Sequence, residues 1–128
     1  MKAITREMLK IYKPVSDLDW MNYKLVKKDL TFHHIKKRED GGEQVIENGA
    51  LLMPIAHQYL HIIEYKDFDT YVSINKMFEI VNKQLSEPTQ EQREIIEYLL
   101  KQFEKEHKDD KNSKGKLLIK WSYKQRDL

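Results

Sequence analysis

The sequence predicts an α+β domain in which two short strands and a helix are followed by a pair of longer helices. Three observations carry this. Two segments with β-forming and apolar character, Leu30–Ile35 (LTFHHI) and Ala50–Ile55 (ALLMPI), flank a polar stretch that holds a Gly41-Gly42 turn. Apolar residues recur at spacings of three and four through 68–85 and again through 89–106. The chain of 128 residues, 40% hydrophobic and 34% charged, can bury one core and shows no internal repeat or second domain.

Taken in order, residues 1–29 are mixed in character and resist assignment. Lys13-Pro14 and Ser16-Asp17 punctuate them, and Trp20 and Tyr23 are expected to pack on the next segment. A first strand is expected over 30–35, a polar loop over 36–47, and a second strand over 50–55, ending near Pro54. A helix over 56–65 then carries His57 and His61 one turn apart, on one face. In 68–85 the positions Phe68, Tyr71, Ile74, Phe78, Val81 and Leu85 form one stripe. The next helix starts after Ser86-Glu87-Pro88. Thr89 is its expected N-cap, with Gln92 at capping-box spacing and an apolar face of Ile95, Ile96, Leu99, Leu100 and Phe103. Both stripes are read as packing surfaces, and Tyr65, Tyr71 and Tyr98 as core or half-buried. Beyond His107 the run KDDKNSKGK is charged, and the terminal LLIKWSYKQRDL alternates weakly at Leu117, Ile119, Trp121 and Tyr123, as an edge strand or a basic tail. The expected organisation is an extension (1–29) packed on a ββα unit (30–65), a helical pair (66–107) and a charged tail (108–128).

Composition narrows the chemistry. There is no cysteine, so thiolate metal sites and disulfides are excluded, and any metal must be held by His, carboxylate or carbonyl groups. No apolar run approaches the roughly 20 residues of a spanning helix, and MKAITREMLK lacks a signal-peptide core; no membrane association and a cytoplasmic setting are the expectations. The net charge of +2 neither demands nor excludes a nucleic-acid partner.

Four of the five histidines fall between positions 33 and 61, as an adjacent pair and an i, i+4 pair. That pattern can hold a divalent metal with three imidazoles and leave the fourth as a general base. Adjacent strand residues point to opposite faces, so His33 and His34 are not expected to be equivalent ligands unless the strand ends or twists there. The fifth, His107, sits in a charged run and reads as structural or solvated.

The stretch HHIKKREDGGEQVIENGALLMPIAHQYLH resembles the HNH, or ββα-metal, endonuclease motif. FHHIKKREDGG and ENGALL are similar to phage and mobile-element members, and the adjacent His pair with helix histidines at i, i+4 is similar to nuclease colicins. The resemblance implies a small ββα-metal HNH core with additional C-terminal helices, cleaving DNA phosphodiester bonds one strand per active site. His33, His57 and His61 match the metal ligands, and His34 the general base. Asn48 matches the motif's asparagine, which in some members braces the loop and in others approaches the metal. Lys36, Lys37 and Arg38 follow the base and could meet flanking phosphates, or form a solvated basic loop. The implied cofactor is one divalent ion: Mg, Mn, Zn or Ni. DNA is the implied partner, and a homodimer or helper protein stays open. Relatives often carry two Cys-x-x-Cys pairs for a structural zinc. Here those places hold Trp20 with Tyr23 and Met53 with Ala56, so apolar packing is expected instead. A catalytically silent nucleic-acid-binding or metal-stabilised module and an RNA-cleaving nuclease are the alternatives.

Overall fold

The computed structural model describes residues 1–109. Its elements are α1 (Ala3–Ile11), β1 (Thr31–His34), β2 (Gly49–Leu52), α2 (Pro54–Lys66), α3 (Phe68–Gln84) and α4 (Gln90–His107). The architecture is therefore α+β. The two strands pair antiparallel, with His33 opposite Ala50 and His34 opposite Gly49. The expectations for Leu117, Ile119, Trp121 and Tyr123 lie outside the described residues. Among those described, no helix is long and apolar enough to cross a membrane.

Local chemistry explains the boundaries. Pro54 stands in the first turn of α2, where its missing N–H costs nothing, so the helix starts two residues earlier than expected. Asp67 caps α3 by accepting from the Thr70 N–H, and Thr89 caps α4 in a full capping box with Gln92. The α1 helix was not legible in the sequence. Lys2 at its N-cap makes no side-chain hydrogen bond; the helix's buried residues are Thr5 and Met8, and Met8 joins the main core cluster.

The stripe of α3 buries Tyr71, Ile74, Phe78 and Val81, but its ends Phe68 and Leu85 are exposed. The buried face of α4 is rotated from the expected one. Arg93, Ile96, Glu97, Leu100, Phe103 and Glu104 line it, and Ile95 is 41% exposed. Polar bonding turns the helix. Arg93 donates to the Asp19 carbonyl (2.8 Å) and to Asn22 Oδ1 (3.2 Å), and Tyr59 donates to Glu104 (3.1 Å). Tyr65 and Tyr98 are also not core residues, at 88% and 63% exposed.

Residues 1–29 contribute to the core: Met8, Tyr12, Trp20, Met21 and Tyr23 are all buried in the main cluster. Trp20, Tyr23, Met53 and Ala56, the four positions compared with cysteine pairs, are buried in it together. A carboxylate ties the two turns. Asp19 Oδ1 accepts from the N–H groups of Met21 (2.8 Å) and Tyr23 (2.9 Å), and Oδ2 accepts from the Met53 N–H (2.7 Å).

Leu85 closes α3 at φ 57°, in the left-handed region where a Cβ is strained. Its side chain is largely exposed, so Leu85→Gly should relieve strain at little packing cost. A gain of about 0.5–1 kcal/mol is expected by urea unfolding.

Candidate metal centre and its surroundings

His33 is the second-last residue of β1 and points into the angle between α2 and α3; its neighbour His34 projects from the opposite face of the strand. His33 is buried, while His34 is partly exposed and sets its ring edge-on to Phe32 (centroids 4.9 Å apart).

Hydrogen bonding fixes where the imidazole protons lie. His33 Nε2 is 2.8 Å from Asn75 Oδ1, and Asn75 Nδ2 donates to the Ile35 carbonyl (3.3 Å), which orients the amide. An amide oxygen only accepts, so His33 carries its proton on Nε2 and leaves Nδ1 as a lone pair. His57 Nδ1 is 3.1 Å from Thr31 Oγ1, whose own hydrogen is committed to the Leu52 carbonyl (2.7 Å). His57 therefore donates from Nδ1 and leaves Nε2 as a lone pair. These two bare nitrogens, His33 Nδ1 and His57 Nε2, face each other at 3.4 Å.

Two lone pairs do not bond each other, but a cation between them satisfies both. Nitrogens about 2.0–2.1 Å from a tetrahedral zinc stand about 3.3–3.4 Å apart, so the pair fits a metal's first two ligand positions. Burial pushes His33 down to about 3 and His57 down to about 4, so both are neutral at physiological pH, as metal ligands must be.

His61 stacks on His57 (centroids 4.9 Å apart, 25° between planes) and lies 6.4 Å from the His33 ring. Its Nδ1 is 3.3 Å from Glu64 Oε1 and its side chain is 54% exposed. The three histidines implied as ligands thus share one corner of the fold, but His61 does not close on the other two. The trio of ligating atoms that does gather within 4.8 Å, among the described residues, is Asp67, Glu106 and His107. Helix ends account for part of that gathering. Both Asp67 oxygens accept from Thr70 at the start of α3, and His107 stacks on Phe103 at the end of α4. His107 is accordingly half-buried rather than solvated.

Burial, with Arg38 and Lys2 nearby, holds His34 below the ordinary histidine range, so it too is neutral near pH 7. Its Nε2 is buried without a hydrogen-bond partner, which leaves Nδ1 to exchange a proton. His34 also depresses both His33 and His57 electrostatically, which puts it in range of the pair.

Asn48 ends the short helical turn before β2 and spends its amide on the loop. Oδ1 accepts from the Lys36 N–H (2.7 Å), and Nδ2 donates to the carbonyls of Lys36 (2.9 Å) and Glu43 (3.0 Å). Of the two roles left open for it, this geometry is the brace. Gly42 has a matching requirement, because an added Cβ would overlap the Lys36 carbonyl. Gly42→Ala should displace the braced loop and cost about 1–3 kcal/mol, read as a lowered unfolding midpoint.

Within the basic run Lys37 is neutralised by Glu64 and lies 3.8 Å from Glu39, while Arg38 donates to the uncharged Gln44 and keeps its charge. A cleft of about 570 Å³ opens beside it, lined by both signs of charge, including Lys36, Lys37, Lys76, Glu39, Asp40 and Glu64.

Asn75, Thr31 and Glu64 are hydrogen-bond partners of the histidines that sequence reasoning missed. Glu64 was within its reach, because i, i+3 from His61 places both on one helical face. Asn75 gave no signal, since its role depends on how α3 docks. No protein-family model, no curated protein and no solved structure matches the chain.

Proposed function

We propose that this chain is a metal-dependent endonuclease of the ββα-metal (HNH) type, hydrolysing DNA phosphodiester bonds one strand at a time. One observation carries the reading: His33 Nδ1 and His57 Nε2 face each other at 3.4 Å, each left bare by an acceptor at its other nitrogen. A strand and the helix after it supply this pair, and the adjacent strand residue is a third neutral imidazole. His33, His57 and His61 are the residues that would hold the ion. His61 would complete the set by rotating its exposed ring.

A divalent ion bound there supplies a Lewis acid for the scissile phosphate and the leaving oxygen. The chain's own groups do the rest. His34 Nδ1 takes a proton from the attacking water as the water oxygen bonds to phosphorus. The bond from phosphorus to the 3′-oxygen breaks, and that oxygen is protonated from solvent. Products carry 5′-phosphate and 3′-hydroxyl ends. Asn48 holds the loop next to the base, and of the basic run only Lys37 pairs with acidic side chains among the described residues, which leaves the charges of Lys36 and Arg38 for flanking phosphates.

Nicking of supercoiled plasmid in Mg, Mn, Ni, Zn or EDTA tests this. Conversion to open circle with at least one metal, and none in EDTA, is the expected result. Folded, metal-loaded protein that leaves both plasmid and RNA intact would overturn it.

A second reading is a metal-stabilised module without catalysis, and the buried, unpartnered Nε2 of His34 favours it. It predicts a metal-dependent rise in the unfolding midpoint with no cleavage of either nucleic acid.

A further inference from the structure

We infer that Glu64 is a positioning residue for the metal centre, selecting the nitrogen that His61 offers, and that Lys37 holds this carboxylate in check. The inference rests on the proposed metal-binding reading. Glu64 lies one helical turn beyond His61 on α2, with its side chain 16% exposed, and its Oε1 is 3.3 Å from His61 Nδ1. A carboxylate accepts only, so the neutral His61 tautomer selected here carries its proton on Nδ1 and offers Nε2 as the lone pair. All three histidines then have an assigned acceptor at the nitrogen opposite the one that would take the ion: Asn75 for His33, Thr31 for His57 and Glu64 for His61. Of these acceptors only Glu64 is charged, and it serves the most exposed histidine of the three. A charged partner raises ligand basicity as well as fixing the tautomer.

Glu64 does not give its charge to His61 alone. Its other oxygen, Oε2, pairs with Lys37 from the loop after β1. The lysine draws on the same negative charge that would strengthen His61, so the two partners compete. Positioning and simple bracing therefore predict opposite signs. If the pair only staples the loop to α2, losing either partner loosens the site equally. If Glu64 acts on His61, losing Glu64 weakens metal binding while losing Lys37 strengthens it.

The test is zinc affinity by competition with a chromophoric chelator, together with the visible spectrum of the cobalt form, for full-length wild type, Glu64→Ala, Glu64→Gln and Lys37→Met. Unfolding midpoints in EDTA are measured alongside. Glu64→Ala is expected to bind zinc about 10–100-fold more weakly, with a shifted cobalt spectrum. Glu64→Gln, which keeps a neutral acceptor, should fall between, and Lys37→Met should bind at least as tightly as wild type. Equal affinity in wild type and Glu64→Ala overturns the inference and leaves the metal reading standing. So does a loss in Lys37→Met as large as that in Glu64→Ala. Wild type that binds neither zinc nor cobalt overturns both.

Discussion

His34→Ala should lower metal-dependent plasmid nicking by about 10²–10⁴-fold, the usual contribution of a general base, while metal content stays at the wild-type level. The second half of that expectation comes from the geometry. His34 projects from the opposite face of β1 to His33, so its removal does not touch the facing pair. Stability should change little. The variant loses the edge contact with Phe32 but also removes a buried nitrogen that had no partner. The pH profile adds a check. Burial, Arg38 and Lys2 hold His34 below the usual histidine value, so the neutral base persists to lower pH. The acid limb of the nicking rate should fall below the ordinary value of about 6.5, and a bound cation would push it further the same way. A rate that halves above pH 7 would argue against His34 as the base.

Asp19→Ala should cost about 3–5 kcal/mol, seen as a large drop in the urea midpoint. The buried carboxylate accepts three backbone N–H groups from two separate turns, and alanine would leave all three without an acceptor. A pH dependence accompanies it. Burial pushes the Asp19 carboxyl up to about 7, although the three amides and Arg93 pull the other way. The native chain then keeps a proton that the unfolded chain releases near 3.8, so this group's contribution falls as pH rises from about 4 to about 7. His33 and His57 act oppositely, since they are neutral when folded and protonated when unfolded below about 6.5. The difference in stability between wild type and Asp19→Ala isolates the first effect. It should shrink steadily across that window.

The elements legible in the sequence were those whose cause is local. Two strands around a glycine turn, the start of α4 at Thr89 and the stripe of α3 arise from nearest-neighbour spacing and capping. The histidines could be placed on strand and helix for the same reason. What spacing did not carry were features caused by contacts across the chain. The face of α4 turned because Arg93 finds Asp19 and Asn22 from the other end of the sequence, which left Ile95 outside. The uncapped α1 exists because Met8 fills the core beside Phe32 and Gly49. The acceptors that assign the imidazole protons divide the same way. Glu64 is three positions from its histidine, whereas Thr31 reaches His57 across 26 positions and Asn75, from α3, reaches His33 across 42.

That last distance means the proposed metal centre would not be a portable cassette. A fragment ending at α2 would contain all four motif histidines yet have nothing to hold the His33 proton on Nε2, and its two ring nitrogens would compete for the pocket. During synthesis the same condition delays competence until α3 has emerged and docked. Grafted onto another scaffold, the strand and helix would need an amide oxygen supplied from outside the motif, opposite His33, to reproduce the facing pair of bare nitrogens seen here.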